Sequence, residues 1–289
     1  MALRESQTRL STQSEVPSPF NDAGGHPITL KHRPQVLVLS GLDPSGGAGI
    51  QADIQAITAL GCHPLPILTC LTVQDTRNVY NSAPVDAELI REQLACLEED
   101  TPIHAIKTGA LGNADVVAVV MGFLARHPDI PLIVDPVIKA AGGGELADQA
   151  LVSRMRDGLF AYAEVITPNG EELLLLGEEE TEADSAKRLL TGGCKTVLAT
   201  GGHGTGDHIT NTLYYSNGSN RSWDIPRHGG EYHGTGCTLA AAIAAGRAAG
   251  LDLEAAIAQA QVFVSGAIAR ALQVGRGQPV PDRQTGSRD

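Results

Sequence analysis

The sequence predicts an α/β protein whose central sheet is mainly parallel and is covered by helices on both faces. Apolar, β-rich segments alternate with segments of helical periodicity from residue 35 to residue 273. The predicted strands include continuous apolar runs, which are typical of parallel strands that are buried on both faces. Glycine is abundant, with 33 residues, whereas aromatic residues make up only 3% of the chain, and this composition favours helices packed closely on a sheet.

The first half of this pattern begins with the run QVLVLS at 35–40, which predicts a buried strand. A glycine-rich turn and a helix through Leu60 follow, and Gly61 ends this helix because glycine is favoured just beyond a helix C-terminus. The run LPILTCLTV at 65–73 predicts the second strand. Residues 86–99 predict a helix because leucine and isoleucine recur at helical spacing. This half is completed by a strand at 103–107, a helix at 114–126 and a strand at 131–135.

The second half of the pattern ends in a hairpin and two helices. The segment 209–223 contains two short β-like runs around an Asn-Gly dipeptide, which favours a two-residue turn and predicts a late antiparallel edge of the sheet. The remaining elements are helices near 148–158 and at 184–191, 235–249 and 252–273, and strands at 164–167 and 196–200.

A single domain is predicted over residues 35–273, because no internal repeat and no linker interrupts the alternation. Residues 1–34 are polar and rich in serine, proline and glycine, and we expect them to form a flexible tail. We expect a second flexible tail at 274–289.

The composition disfavours several classes of partner. The formal net charge is −12, from 33 acidic and 21 basic residues, so the overall field repels nucleic acid and anionic membranes. No apolar run approaches the roughly 18 residues that a membrane-spanning helix needs. The five cysteines are odd in number and lack a CxxC pair, which disfavours a disulfide framework or a structural zinc site and predicts the cytoplasm as the location.

A glycine-rich loop, GLDPSGGAGIQAD at 41–53, follows the first predicted strand. Ligands of parallel sheets bind at the carboxyl ends of strands, so this loop is a candidate substrate site. The same loop contains GAGIQA, a match to the dinucleotide fingerprint G-x-G-x-x-A, which makes a nicotinamide-dependent enzyme an alternative. That alternative is weakened because the match begins well beyond the strand and the expected acidic residue after the second strand is missing. A plain turn with helix caps is the third interpretation.

A second glycine-rich turn, HGTGC at 233–237, opens an alanine-rich predicted helix. Amide groups at a helix start lack intrahelical partners and lie at the positive end of the helix dipole. Gly234, Thr235 and Gly236 are therefore candidates for an anion site. We expect the same environment to lower the pKa of the Cys237 thiol, although the residue alone is equally consistent with simple packing.

Polar side chains also follow predicted strands. Gln74 offers one acceptor and two donors, which suits a ring nitrogen beside an amino group. Asp135 ends an apolar strand and is either a Mg²⁺ ligand or a turn-forming aspartate before proline. Asn169 and Glu172 have the spacing of a helix capping box, and a capping carboxylate can also face a metal-bound water. A turn, TGGHG at 200–204, indicates a second phosphate site, whereas no Walker A sequence is present.

Taken together and in this order, seven segments resemble the hydroxymethylpyrimidine/phosphomethylpyrimidine kinases of thiamine biosynthesis, within the ribokinase-like superfamily. The segments are GLDPSGGAGIQAD, LTVQDTRNV, IKTGAL, VDPV, TPNGEE, TGGH and HGTGC. The resemblance covers residues 35–273 and implies a three-layer α/β/α fold, a homodimer, and the use of ATP and Mg²⁺. It implies two phosphorylations, first of the hydroxymethyl group of 4-amino-5-hydroxymethyl-2-methylpyrimidine and then of the resulting monophosphate to the diphosphate.

The resemblance also implies roles for residues at matching positions. Most of the superfamily has an aspartate base where these pyrimidine kinases have cysteine, so Cys237 would accept the hydroxyl proton or hold the hydroxyl in line. The other residues so implied are, for the pyrimidine, Gln74, Gly41, Asp53 and Thr72; for the nucleotide, Asn169, Thr200 and Gly202; for Mg²⁺, Asp135 and Glu172; and for the anion hole, Gly234, Thr235 and Gly236.

Two positions depart from the family pattern. Ala110 stands where a methionine often contacts the substrate, which predicts a roomier pocket. Thr200 stands where a lysine is often found, and we hypothesise that Lys139 supplies positive charge to the phosphates instead. A pyridoxal or pyridoxine kinase is the main alternative, because that substrate has a similar ring and hydroxymethyl group. A nicotinamide-dependent oxidoreductase and a non-catalytic pyrimidine-binding sensor are the alternatives outside the superfamily.

Overall fold

The computed structural model of the protein describes residues 32–138, 146–201 and 206–284. The strands are β1 (Gln35–Leu42), β2 (His63–Gln74), β3 (Val79–Pro84), β4 (Ala105–Thr108), β5 (Leu132–Val134), β6 (Val165–Ile166), β7 (Thr196–Ala199), β8 (His208–Tyr215) and β9 (Asn220–Pro226). The helices are α1 (Gly49–Ala59), α2 (Ala87–Asp100), α3 (Ala114–Leu124), α4 (Gln149–Asp157), α5 (Gly170–Gly177), α6 (Glu182–Thr191), α7 (Thr235–Ala248) and α8 (Leu253–Ala269), with a short 3₁₀ helix at Leu159–Tyr162.

The nine strands form one sheet in the order β3-β2-β1-β4-β5-β6-β7-β8-β9. Six neighbouring strands, β2, β1, β4, β5, β6 and β7, are parallel. Strand β3 at one edge and strands β8 and β9 at the other are antiparallel. The predicted mainly parallel sheet and the predicted β8–β9 hairpin are therefore confirmed. Because the parallel strands run the same way, their carboxyl ends lie along one edge, where the loops that follow them meet.

Helices cover both faces of the sheet, and the alternation of side chains along β1 shows the two cores. Leu37 and Leu39 pack with apolar residues of α2 to α6, whereas Val36 and Val38 pack with residues of α1, α7 and α8. The alanine-rich sequence of α7 is buried along most of its length, and small side chains let this helix lie close to the sheet. The structure thus has the three layers that the resemblance implies.

Besides the short 3₁₀ helix, one strand and one α-helix were not predicted. The edge strand β3 has the sequence VYNSAP, whose polar residues and proline are poor strand signals, and its pairing with β2 provides the order that the local sequence lacks. Helix α5 is only eight residues long, too short for a clear helical period, and it is fixed by the capping box at its start.

The expected flexible tail at 274–289 is wrong for the part that the structure describes. Residues up to 284 fold back onto the domain, and Leu272 and Val280 exchange backbone hydrogen bonds of 2.8 and 2.9 Å. Val280 and Arg283 are buried. The polar, glycine-rich composition predicts a tail because it offers little apolar surface, but hydrogen bonds with the body of the domain hold this segment. No helix among the described residues is long and apolar enough to cross a bilayer.

Candidate active site

The glycine-rich loop between β1 and α1 is organised by one buried aspartate. Asp43 is 2% exposed, and its carboxylate accepts hydrogen bonds of 2.8 Å from the backbone N–H groups of Ser45 and Ala48. It also lies 2.7 Å from Nε2 of His233, next to the turn that opens α7. Burial disfavours ionisation of Asp43, but the hydrogen bonds from His233 and Ser45 outweigh it and lower its pKa. Asp43 therefore joins the two glycine-rich turns through its side chain.

Three of the residues predicted to hold the pyrimidine, Gln74, Thr72 and Gly41, lie at the ends of β1 and β2, and Ala110 packs beside Gly41. Nε2 of Gln74 donates a 2.6 Å hydrogen bond to Oγ1 of Thr72, which in turn donates to a β1 backbone carbonyl. A Cβ atom on Gly41 would lie 2.6 Å from Sγ of Cys70 and 3.5 Å from Cβ of Ala110. The backbone of Gly41 is thus packed closely against these two side chains, and a larger residue does not fit there.

The turn that opens α7 differs from the starts of most other helices. Helices α2 to α6 and α8 each begin with a side chain that accepts a first-turn N–H, whereas α7 has Gly234 as its N-cap and no side-chain cap. Gly234 has a φ of +89°, a conformation that favours glycine. The first-turn N–H groups of Thr235, Gly236 and Cys237 are left without intrahelical partners, as an anion site requires. Oδ1 of Asp135 lies 4.0 Å from the position that a Cβ atom of Gly236 would take.

A fully buried lysine lies behind this turn and was not predicted as a site residue. Lys107 of β4 has no exposed surface, and its Nζ atom lies 2.9 Å from Oδ2 of Asp53 and 3.8 Å from Oδ2 of Asp135. Burial alone would lower the pKa of Lys107, but the nearby carboxylates outweigh it and hold the pKa above its ordinary value. A lone charged residue inside the apolar strand AIKT is the sequence signal that could have revealed it.

The structure changes the expected role of Asp53. Its side chain has no exposed surface and pairs with Lys107, so it supports the site from behind and does not line a pocket. Burial raises the pKa of Asp53, and the charge of Lys107 opposes that effect.

The expectation that the helix start lowers the pKa of Cys237 is also wrong. Burial and the carboxylates of Asp135 and Asp53 raise the pKa of this thiol, and the positive charge of Lys107 is too weak to reverse the effect.

Asp135 and Glu172, the two residues that the resemblance implies for Mg²⁺, carry carboxyl groups close enough to interact electrostatically. Oδ2 of Asp135 is buried and has no hydrogen-bond partner among the described residues. Burial and the charge of Asp135 raise the pKa of Glu172 to about 8. Both side chains carry carboxyl oxygens, the kind of ligand that Mg²⁺ prefers.

Asn169 and Glu172 form the predicted capping box at the start of α5. The Asn169 side chain accepts from the backbone N–H of Glu172 at 2.9 Å, and the Glu172 carboxylate accepts from the backbone N–H of Asn169 at 3.0 Å. Thr200 lies beside them, because its backbone N–H donates to the carbonyl of Pro168 at 3.0 Å. The predicted nucleotide residues Lys139 and Gly202 lie outside the described residues.

Comparison with known proteins identifies the family. The profile described as phosphomethylpyrimidine kinase matches residues 43–281. The chain belongs to this family. The hydroxymethylpyrimidine/phosphomethylpyrimidine kinase of Streptomyces coelicolor is 36% identical over 251 residues, covering 84% of this chain and 92% of the relative. The enzyme of the same name from Haemophilus influenzae is 34% identical, covering 84% of this chain and 94% of its own.

Two further relatives are longer than this chain. The thiamine biosynthesis multifunctional protein ThiED of Corynebacterium efficiens is 37% identical over 85% of this chain, and this match spans 34% of the relative. The bifunctional ThiED of Geobacter sulfurreducens is 36% identical over 85% of this chain, and the match spans 51% of the relative. The chain therefore corresponds to one part of these two proteins.

Solved structures place the phosphomethylpyrimidine kinase fold beside pyridoxal kinases. Pyridoxal kinase from Bacillus subtilis, in an ADP complex, has a TM-score of 0.80 at 27% identity, covering 87% of this chain and 98% of its own. Phosphomethylpyrimidine kinase from Clostridium difficile has a TM-score of 0.70 at 28% identity, covering 81% and 99%. The fold is thus that of the ribokinase-like vitamin kinases, as the resemblance implies.

Proposed function

We propose that this protein transfers the γ-phosphoryl group of ATP to 4-amino-5-hydroxymethyl-2-methylpyrimidine and then to the monophosphate, giving the diphosphate. The observation that carries the proposal is that Gln74 and His233, the residue just before the uncapped start of α7 at Gly234, line one cavity, at the edge of the sheet where Asp135 follows β5. Family membership and the names of the relatives support the same activity.

Mg²⁺ fits the site, because Asp135 has a buried carboxylate oxygen with no hydrogen-bond partner and Glu172 is held near it. These two side chains would hold the ion together with water and phosphate oxygens, since Mg²⁺ commonly uses one or two carboxylates and keeps several waters. When bound, it supplies positive charge to the phosphate oxygens.

The chain's own residues orient the reactants and stabilise charge. Gln74 would pair with the aminopyrimidine edge, and the free N–H groups at the start of α7 would stabilise charge on the transferred phosphoryl group. Lys107 contributes a fixed positive charge behind the site. Phosphoryl transfer has a loose transition state that needs positioning more than a strong base. We therefore assign Cys237, whose pKa is raised, to holding the acceptor hydroxyl in line.

A coupled assay of ADP release tests this function with the pyrimidine, its monophosphate and pyridoxal as acceptors. We expect turnover with both pyrimidines. We expect a Cys237→Ala variant to lose about 10²-fold in kcat, the order of loss that follows a misplacement of about 1 Å in an active site. Cys96→Ala is the matched control, because Cys96 is an exposed cysteine on α2. Absence of turnover with either pyrimidine in the wild-type protein contradicts the proposal.

Pyridoxal kinase activity is the second candidate, favoured by the TM-score of 0.80 to a pyridoxal kinase and by the small Ala110 side chain beside Gly41. A kcat/KM for pyridoxal above that for the pyrimidine would favour it.

The family match disfavours a nicotinamide-dependent oxidoreductase. Any turnover of ATP in the presence of an acceptor contradicts a non-catalytic pyrimidine-binding sensor. We also propose a cytoplasmic homodimer, which light scattering of the purified protein and fractionation of cells would test.

A further inference from the structure

The C-terminal segment, residues 271–284, contacts loops on both sides of the candidate site. The backbone N–H of Gly277 donates to Oγ1 of Thr76 at 2.9 Å, in the loop that follows Gln74. The carbonyl of Pro279 accepts a 2.9 Å hydrogen bond from the backbone N–H of the residue that precedes Gly234. This segment is therefore part of the wall around the site.

Arg283 makes the most extensive of these contacts. Its side chain is almost completely buried, and its Nη2 atom lies 2.6 Å from the carbonyl oxygen of Gly47 and 3.4 Å from that of Gly234. Nε donates to Oγ1 of Thr238 at 2.8 Å, and Nη1 donates to Oε1 of Gln55 at 3.1 Å. We call the turn at residues 233–237, which opens α7, the anion turn. One guanidinium group thus binds the glycine-rich loop, helix α1, the anion turn and helix α7 at once.

The two turns that Arg283 joins touch each other through their backbones. A Cβ atom on Gly234 would overlap the carbonyl oxygen of Gly47, and a Cβ atom on Gly47 would lie 2.7 Å from the Val280 side chain. A planar guanidinium can donate to two carbonyls and a hydroxyl from one rigid group, which a lysine ammonium on a flexible stem cannot reproduce. Arg283 therefore holds the glycine-rich loop and the anion turn together, alongside the contact between Asp43 and His233.

Stability alone does not account for a buried arginine in this place. An arginine stays charged in proteins, and a buried charge costs more free energy than an apolar side chain of similar volume. The carboxylates of Asp43, Asp53 and Asp282 lie close enough to offset part of that cost. Arg283 also lies beyond residues 43–281, the span of the family match, so its contacts are not covered by that comparison.

We propose that Arg283 is a positioning residue for phosphoryl transfer, which holds the glycine-rich loop and the anion turn at the distance that the reaction needs. The proposal rests on the kinase function proposed above. A misplacement of about 1 Å in an active site can lower the rate by about 10²-fold. Because the anion turn stabilises charge that develops during transfer, its displacement lowers kcat more than it changes the binding of the ground-state substrates.

The test compares Arg283→Lys and Arg283→Met with a matched control, Arg270→Lys. Arg270 lies in the turn after α8 and donates to the carbonyls of Asp282 and Gln284, so its replacement perturbs the same segment without touching either glycine turn. For each protein, kcat and the KM values for ATP and the pyrimidine are measured, and urea unfolding gives the folded fraction. We expect kcat of both Arg283 variants to fall by about 10- to 100-fold with KM changes below about threefold, while the control keeps wild-type kinetics.

The outcomes separate this proposal from the function on which it rests. No pyrimidine phosphorylation by the wild-type protein contradicts the proposed function. An active wild type with wild-type kcat in folded Arg283→Lys overturns the positioning role. Equal kcat losses in Arg283→Lys and the Arg270 control also overturn it, because the effect then belongs to the whole segment. If neither Arg283 variant folds while the control does, Arg283 is required for folding and the proposal fails.

Discussion

Removal of the buried positive charge of Lys107 is the sharpest test of the electrostatics of the site. A Lys107→Met variant keeps most of the side-chain volume but leaves the carboxylates of Asp53 and Asp135 without a cation. At an effective dielectric of about 20, the attraction lost is about 6 kcal/mol at 2.9 Å and about 4 kcal/mol at 3.8 Å. Part of this is offset because the lysine no longer has to be desolvated. We expect a net loss of about 3–5 kcal/mol in the free energy of unfolding.

Urea unfolding of metal-free protein measures this loss as a lower midpoint at unchanged slope. Asp53→Asn should cost less, because Lys107 keeps Asp135 as a partner at 3.8 Å. The double variant Asp53→Asn/Lys107→Met should be more stable than Lys107→Met, because one uncompensated buried charge is gone.

The pH dependence of Lys107→Met gives an independent check. Without the lysine, burial raises the pKa values of Asp53 and Asp135 in the folded protein above the ordinary value of 3.8. The folded state then binds more protons than the unfolded state. The loss in the free energy of unfolding relative to the wild type therefore shrinks as the pH falls towards 4, and it grows as the pH rises through the raised pKa values. A Lys107→Met variant within about 1 kcal/mol of the wild type at pH 7 would refute the reasoning.

Three further predictions concern the glycine turn, a carboxyl group and the thiol. Gly234→Ala should abolish most kinase activity because its Cβ overlaps a backbone carbonyl, whereas Gly250→Ala, at the same φ of +89° with open space around it, should cost only about 1–2 kcal/mol in stability and keep the activity. The pKa of Glu172 is raised to about 8 from an ordinary 4.5, so the metal-free protein should lose thermal stability as the pH rises from about 5 to 8. Glu172→Gln should flatten this pH dependence, and an unchanged slope in that variant would contradict the raised pKa. In a Cys96→Ser background, iodoacetamide should alkylate Cys237 slowly, with a rate still rising above pH 9, whereas a plateau below pH 8 would show a lowered pKa after all.

The parallel core could be predicted because its signals are local. The runs at β1, β2 and β5 are apolar and the intervening helices show regular periodicity, so each element can be predicted from its own local sequence. The edge strand β3 was missed because its stability comes from pairing with β2, which no local pattern records.

The site was predicted less completely, because its electrostatics depend on contacts between distant residues. A helix-start position suggests a lowered pKa for Cys237, but the side chain lies beside Asp53 and Asp135, more than one hundred positions earlier in the chain, and their charges have the opposite effect. Arg283 shows the same limit. Its polar, glycine-rich surroundings indicate a tail, and its buried partners become visible only in the folded chain.

The contact between Arg283 and Gly47 joins residues that are 236 positions apart, close to the two ends of the folded domain. Closing so long a loop is entropically costly and brings little reward until the sheet between its ends has formed. The last residues of the domain must therefore leave the ribosome before Arg283 can bind the glycine-rich loop and the anion turn. On the positioning role proposed above, the recovery of catalysis during refolding reports the closure of this long-range contact and not the formation of the sheet alone.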